Sequence, residues 1–174
     1  EAESGKNFDK QLKAIEERYN EVIKGLGLKL SLKEQFETIR KNFEAKAGTD
    51  YAASRGEYLN GIIMANYLGY EFIDAASVIC FDANGEFDGE KTNKVMGDRL
   101  ANVESAVIPG FYGAMPNGDV KTFSRGGSDV TGSIVARAIK ADVYENWTDV
   151  SGFLAADPRI VDNPRPIDVI TYKE

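Results

Sequence analysis

The stretch DVKTFSRGGSDVTGSIVARAIK, residues 119–140, decides the fold class. Residues 119–123 follow a Pro-Asn-Gly turn and are predicted to form a β-strand. A glycine-rich loop comes next, a helix is predicted from about 130 to 140, and a further strand is predicted at 143–147. A strand, a loop, a helix and a second strand make one βαβ crossover. This crossover predicts a parallel sheet covered by helices, and therefore an α/β protein.

The residues before this stretch are mainly helical in their pattern, and shorter apolar runs follow them. Two S-x-x-E sequences, at Ser31 and Ser54, match the capping box that starts a helix, and Gly69 is placed to end one. In chain order the pattern predicts helices at 8–26, 32–43 and from about 50 or 54 to 68, strands at 70–73 and 78–81, a helix at 92–102 and a strand at 105–112.

The composition excludes several classes of protein. The 174 residues carry 21 Lys and Arg against 28 Asp and Glu, so no broad positive surface is expected to attract nucleic acid or an anionic membrane. The absence of histidine excludes a Ser-His-Asp triad, and the single cysteine, Cys80, cannot form an internal disulfide. No run approaches the ~18 apolar residues of a membrane helix, and the N-terminus lacks the features of a signal peptide. We therefore expect one cytoplasmic domain that binds neither nucleic acid nor membrane.

The loop at 124–129 carries the strongest local indication of a binding site. Its two glycines, Gly126 and Gly127, allow a ligand to approach the backbone, and Ser128 or Asp129 stands where a helix N-terminus offers unpaired N–H groups. Arg125 adds a planar guanidinium that suits a carboxylate or a phosphate. The alternative is a tight strand-to-helix turn with a Ser or Asp cap.

Two further segments allow both a structural and a functional interpretation. The sequence Ser54-Arg55-Gly56-Glu57 is either a capping box or part of a site. Thr148 and Asp149 follow the predicted strand at 143–147 and could hold a ribose or a metal-bound water, and Arg159 could reach phosphates. The alternative is a strand end followed by an Asp-Pro turn with a solvated arginine. No metal site is predicted, because the segment 82–86 has the wrong spacing for a calcium loop and is expected to form a turn.

Taken together and in this order, these segments resemble aspartokinase (aspartate kinase), of the amino acid kinase superfamily. The resemblance is carried by S-R-G-E at 54–57, P-G-F at 109–111, S-R-G-G-S-D at 124–129 and W-T-D-V-x-G-x-x-x-A-D-P-R at 147–159. It implies the amino acid kinase fold, a three-layer αβα sandwich with a mostly parallel sheet, here incomplete. The family acts in the biosynthesis of lysine, threonine and methionine, and its full-length members are expected to be homo-oligomers.

The resemblance also implies a reaction. Aspartokinases transfer the γ-phosphoryl group of ATP, with Mg²⁺, to the side-chain carboxylate of L-aspartate. The acceptor carboxylate, with an ordinary pKa of ~3.9, is already ionised at neutral pH, so a chain without histidine is compatible with this chemistry. The substrates implied are L-aspartate and ATP.

Roles for individual residues follow from the resemblance alone. Glu57 would accept the α-ammonium group of aspartate, and Arg125 would bind a substrate carboxylate. Asp129 would also orient the catalytic lysine of the family. The implied aspartate pocket comprises Glu57, Arg125, Gly126, Gly127, Ser128 and Asp129, and the implied nucleotide contacts are Thr148, Asp149, Leu154 and Arg159.

The sequence also departs from the family pattern. It lacks the N-terminal strand with K-F-G-G-[ST], whose lysine supports the transferred phosphoryl group, and at Leu154 the family often has a tyrosine. It also lacks the C-terminal end of the kinase domain and the paired ACT-type regulatory domains. Residues 1–174 are therefore expected to be a partial catalytic domain. Two alternatives stay open: a catalytically silent segment that only binds aspartate or a partner, and a sister kinase with another acceptor.

Overall fold

The computed structural model describes residues 7–147, 152–169 and 171. It divides the chain into two units, Glu1–Tyr144 and Glu145–Glu174. All the helices and strands named below belong to the first unit. In chain order they are α1 (Asp9–Gly25), α2 (Lys33–Glu44), α3 (Thr49–Leu68), β1 (Glu71–Phe72), α4 (Ala75–Val78), α5 (Gly89–Leu100), β2 (Ala106–Val107), β3 (Tyr112–Ala114), β4 (Val120–Thr122) and α6 (Gly127–Ile139).

The helices of the first half form where the apolar periodicity predicts them, but the two capping-box predictions are wrong. Helix α3 begins at Thr49 after Gly48, whose φ of 94° suits glycine, so Ser54 lies inside the helix rather than at its start. Helix α2 begins at Lys33, after Leu32, and no side chain caps it. The predicted cap, Ser31, accepts only a long hydrogen bond of 3.4 Å from the Lys33 N–H. The cap at Gly69 is confirmed, because this residue ends α3 in the left-handed conformation.

Strands β1 and β2 form a parallel pair, and α4 and α5 lie between them in the chain. Asp74 starts α4 by accepting a hydrogen bond from the Ala76 N–H at 3.1 Å, so the predicted strand at 78–81 begins with a helical turn instead. Asp88 caps α5 through the Lys91 N–H, and this helix therefore begins earlier than predicted. The segment 82–86 forms the expected turn, in which the Asp82 carboxylate accepts hydrogen bonds from the Asn84 and Glu86 N–H groups.

Strands β3 and β4 form an antiparallel pair. Two of the predicted strands in this part of the chain are wrong. The predicted strand at 105–112 is divided into β2 and the start of β3, because Phe111 takes a φ of 63° that a strand cannot accommodate. The predicted strand at 143–147 is not formed. Val143 is 73% exposed, so that segment lacks the neighbouring strand that would stabilise it. The parallel crossover thus connects β1 to β2 rather than β4 to a later strand.

Two groups of buried apolar side chains stabilise the first unit. One joins α1, α2 and α3 through residues such as Leu12, Phe36 and Leu59. The other joins α4, α5, β3 and α6 through residues that include Met96 and Ile134. Each large side chain buried in this way contributes about 1.5–3 kcal/mol. Helix α3 also contacts β1, β2 and β4, which places its exposed face beside the glycine-rich loop.

The second unit is a looped segment. Leu154 forms an antiparallel bridge with Pro166, and the N–H groups of Ala155 and Ile167 donate to the carbonyls of Arg165 and Phe153 at 2.9 and 2.7 Å. Its three prolines are consistent with the extended surface loop that the sequence predicts. No helix in the part of the chain that the structure describes is long and apolar enough to cross a membrane.

Candidate active site

Tight packing around Gly127 fixes the start of α6. Gly126 precedes the helix with a φ of 61°, a left-handed conformation that glycine adopts without strain. A Cβ atom at Gly127 would lie 2.6 Å from the Phe111 Cβ and 2.9 Å from the Phe123 Cβ. Both glycines of the loop are thus required by the backbone. The first N–H groups of α6 have no partner within the helix, and together with the helix dipole they favour an anion at this end.

The P-G-F segment is attached to α6 by a short chain of hydrogen bonds. The Phe111 N–H donates to Thr131 Oγ1 at 3.0 Å, and this hydroxyl donates to the Gly127 carbonyl at 2.7 Å. A Cβ atom at Gly110 would lie 3.1 Å from Ser128 Oγ, so glycine there allows the segment to approach the helix. These contacts explain why P-G-F and G-G-S-D occur together.

A cleft of about 320 Å³ lies in front of the α6 N-terminus. It brings Glu57 of α3 together with four predicted residues of the loop, with Phe111 of the P-G-F motif and with Phe123, which no motif indicated. The lining residues are Glu57, Phe111, Phe123, Gly126, Gly127, Ser128 and Asp129. The side chain of Arg125 is exposed and does not line this cleft, although it is adjacent to Gly126 in the chain.

Contacts between α3 and β4 hold the two sides of the cleft in place. The Thr122 N–H donates to Asp50 Oδ2 at 3.2 Å, and Lys121 forms an ion pair with the same oxygen at 3.3 Å. Burial alone would raise the pKa of Asp50, but the Thr122 hydrogen bond and the Lys121 charge lower it below its ordinary value. Because β4 leads directly into the glycine-rich loop, this contact ties α3 to the strand before that loop.

The cleft carries charge of both signs. Glu57 is an exposed carboxylate on one side, and the other side carries the partial positive charge of a 13-residue helix together with the Asp129 carboxylate in its first turn. A molecule with an ammonium group and a carboxylate group matches this arrangement. The phenyl rings of Phe111 and Phe123 add an apolar wall between the two charges.

Arg55 of the S-R-G-E motif does not line the cleft that its neighbour Glu57 lines. Its guanidinium is 8% exposed and lies over the rings of Tyr51 and Tyr58, with Cζ 4.5 and 4.4 Å from their centroids. Its Nε and Nη2 donate to Ser54 Oγ at 3.1 and 2.9 Å. Ser54 thus orients Arg55, which is the role it has in place of the predicted helix cap.

A buried tyrosine links this region to β3, and no sequence motif indicated it. Tyr112 is fully buried and donates its hydroxyl to Asp74 Oδ1 at 2.7 Å. Burial, together with the nearby Asp74 charge, raises the pKa of Tyr112 far above its ordinary value, so the phenol stays protonated as a donor. An alternation of apolar residues predicts such a position as core, but it does not identify the hydrogen bond.

The residues expected to contact a nucleotide lie in or next to the second unit. Thr148 and Asp149 lie outside the described residues. Leu154 forms the bridge to Pro166, and the Arg159 side chain is 87% exposed. Arg159 pairs with Asp157 at 2.7 Å and thereby lowers the pKa of that carboxyl. These contacts correspond to the Asp-Pro turn that was the alternative interpretation of this segment.

Within residues 7–147, 152–169 and 171, no group of three or more Asp, Glu, Cys or His side chains could hold a metal ion. Mg²⁺ usually binds to one or two carboxylates together with substrate phosphates.

The fold and the cleft define a class of protein: an α/β protein in which a glycine-rich loop and a helix N-terminus face a carboxylate across a small-molecule site. Residues 4–174 match the model of the Amino acid kinase family, and the chain belongs to this family. The α/β fold class and the resemblance to aspartokinase are thereby confirmed.

Three relatives show how specific this membership is. The chain is 38% identical over 133 residues to Aspartokinase 3 of Bacillus subtilis, which covers 72% of the chain and 29% of the relative. It superposes on the crystal structure of Clostridium acetobutylicum aspartate kinase with a TM-score of 0.91 and 55% identity, covering 99% of this chain and 40% of that one. It also matches E. coli aspartokinase III, solved with aspartate and ADP, with a TM-score of 0.73, 28% identity, and coverage of 91% and 40%. The chain therefore spans less than half the length of these relatives.

Proposed function

We propose that the protein to which this chain belongs is an aspartate kinase, which transfers the γ-phosphoryl group of ATP to the side-chain carboxylate of L-aspartate. Membership of the amino acid kinase family supports a kinase, and the relatives, all aspartokinases, support aspartate as the acceptor. One of them was solved with aspartate and ADP. The product, 4-phospho-L-aspartate, would enter the biosynthesis of lysine, threonine and methionine.

The cleft between Glu57 and the N-terminus of α6 is the observation that carries this proposal. Aspartate has one ammonium group and two carboxylates, and the cleft offers two carboxylates, Glu57 and Asp129, and one anion-binding helix end. In the proposed arrangement Glu57 accepts the ammonium group. The N–H groups of Gly127, Ser128 and Asp129 face a substrate carboxylate, and Arg125 reaches it from the rim.

Positioning and charge neutralisation are sufficient for this reaction. The acceptor carboxylate is ionised near neutral pH, so no general base has to remove a proton. ATP supplies the phosphoryl group, and the Mg²⁺ that accompanies its phosphates neutralises charge on the transferred group. The chain's own residues hold aspartate so that one carboxylate oxygen faces the phosphorus atom. Asp129 would orient the catalytic lysine of the family.

Nucleotide contacts are assigned to Thr148, Asp149, Leu154 and Arg159 as part of the same proposal. The D-P-R turn around Arg159 supports this role because it presents the guanidinium to solvent in a defined conformation. We further propose that the full-length protein is a cytoplasmic homo-oligomer, as the family resemblance implies. Two other candidates are a silent segment that only binds aspartate and a sister kinase with a different acceptor.

The test is aspartate-dependent ADP release by the protein with Mg²⁺ and ATP. We expect Glu57→Gln to lower kcat/KM for aspartate by about 10- to 150-fold, because a charge-assisted hydrogen bond worth about 1.5–3 kcal/mol is lost. Glu37→Gln is the matched control, because Glu37 is an exposed carboxylate on α2 that pairs with Lys33 at 3.9 Å. Equal activity of both variants would contradict the role of Glu57.

A substrate panel separates the remaining candidates. Turnover of aspartate but not of glutamate, acetylglutamate or carbamate supports the proposal, whereas a preference for one of these would identify a sister kinase. Aspartate binding without turnover by the intact protein would indicate the silent alternative.

A further inference from the structure

A second cavity lies between α2 and α3, on a different face of α3 from Glu57. It has a volume of about 160 Å³, and Gln35, Tyr51, Arg55 and Tyr58 are among its lining residues. A water molecule occupies about 30 Å³ of liquid, so the cavity has room for a ligand of roughly the size of the smallest amino acids. Nothing in the proposed kinase chemistry uses this cavity.

Arg55 supplies an oriented positive charge at this cavity. Tyr51 and Tyr58 contact the guanidinium, Ser54 accepts hydrogen bonds from Nε and Nη2, and the Tyr51 hydroxyl is a further polar neighbour of Arg55. Among the residues that the structure describes, no carboxylate forms an ion pair with Arg55. The Asp74 charge acts on the same tyrosines that surround the guanidinium but forms no direct ion pair with it, so an anionic ligand in the cavity would be the direct partner of Arg55.

Gln35 supplies an acceptor at the same cavity. Its Oε1 is buried and has no hydrogen-bond partner, the only such side-chain atom in the described part of the chain. A buried acceptor of this kind requires a donor. The exposed carboxylate of Glu34, at the edge of the cavity, adds a second acceptor that favours a cationic donor.

We propose that the cavity between α2 and α3 binds a small α-amino acid. Its carboxylate pairs with the guanidinium of Arg55, and its ammonium group donates to Gln35 Oε1 and faces Glu34. A simple carboxylate would satisfy Arg55 but leave Gln35 without a donor, and a simple amine would do the reverse. The zwitterion is the ligand class that satisfies both groups. This site is separate from the aspartate cleft and does not depend on the proposed function.

The test compares glycine with acetate, two probes that differ by the ammonium group. Each is titrated at millimolar concentrations into the ¹⁵N-labelled 174-residue chain, and the amide signals are followed by NMR. We expect saturable glycine shifts at residues 34–39 and 51–58, and an affinity for glycine about tenfold above that for acetate.

Variants of Gln35 assign the effect to the unpaired acceptor. Gln35→Met keeps the side-chain volume but removes the carbonyl, so it should abolish the preference for glycine, whereas Gln35→Glu keeps an acceptor and should retain it. Gln11→Met on α1 is the control substitution and should change nothing. Equal affinities for glycine and acetate, shifts confined to residues 126–129, or no saturable shift would each overturn the proposal.

Discussion

Replacing Gly127 with alanine tests the packing that defines the candidate active-site cleft. The added Cβ would lie 2.6 Å from Phe111 Cβ, 2.8 Å from Phe111 Cα and 2.9 Å from Phe123 Cβ. Phe111 cannot move freely away from the added methyl group, because its N–H is hydrogen-bonded to Thr131 of α6. Overpacking of this kind costs about 1–3 kcal/mol, and we expect Gly127→Ala to lower the free energy of unfolding by that amount.

A second glycine provides the matched control. Gly56 lies inside α3, and a Cβ there would meet nothing within 4 Å. Gly56→Ala should therefore stabilise the protein by about 0.5–1 kcal/mol, since alanine is the better helix former.

The two variants are compared by urea unfolding and by thermal melting. For a chain of this size, 1 kcal/mol corresponds to a change in Tm of about 2–4 °C. Gly127→Ala should melt below the wild type and Gly56→Ala above it. If Gly127→Ala were as stable as Gly56→Ala, the close contact between Phe111 and α6 would not exist and the description of the cleft would be wrong.

Three further substitutions test individual contacts. Tyr112→Phe removes the donor to Asp74 and should lower the free energy of unfolding by about 1–3 kcal/mol in urea titrations, whereas Tyr67→Phe, at a residue 56% exposed, should have no effect. Thr131→Val leaves the Phe111 N–H without an acceptor and should lower the free energy of unfolding by about 1–3 kcal/mol. Ser133→Ala, on the exposed side of α6, should lower it little. Equal stability of the two variants would contradict the role of Thr131. Asp50 has a lowered pKa in the folded state, so its stabilising contribution is present above its ordinary pKa of about 3.9 and is lost as the pH falls below it. The stability of Asp50→Asn should therefore fall less steeply than that of the wild type between about pH 5 and pH 3, and parallel curves would refute this.

The sequence predicts those parts of the fold that short-range patterns determine. The apolar periodicity indicates α1, α2 and α3, and the paired glycines at 126 and 127 indicate the loop before α6. The errors occur where a distant residue decides the conformation. Phe111 interrupts a predicted strand because its N–H bonds to Thr131, 20 residues later.

The candidate site was predictable only in part for the same reason. Local patterns indicate the loop at 124–129 as a candidate anion site but also fit a tight turn, and they favour a capping box for S-R-G-E. Only the family resemblance selected Glu57. Neither the local patterns nor the resemblance predicts that Glu57 shares a cleft with α6 while Arg55 lines a different cavity. Phe111 belongs to the P-G-F motif, whereas Phe123 carries no pattern that distinguishes it from a core residue.

The most direct measurement is an NMR titration of the ¹⁵N-labelled chain with L-aspartate. The account predicts saturable shifts of the amide signals of residues 126–129 and of Glu57, and the loss of these shifts in Glu57→Gln but not in Glu37→Gln. If aspartate produced no saturable shift at these residues, or if Glu57→Gln bound it unchanged, the cleft would not be the aspartate site.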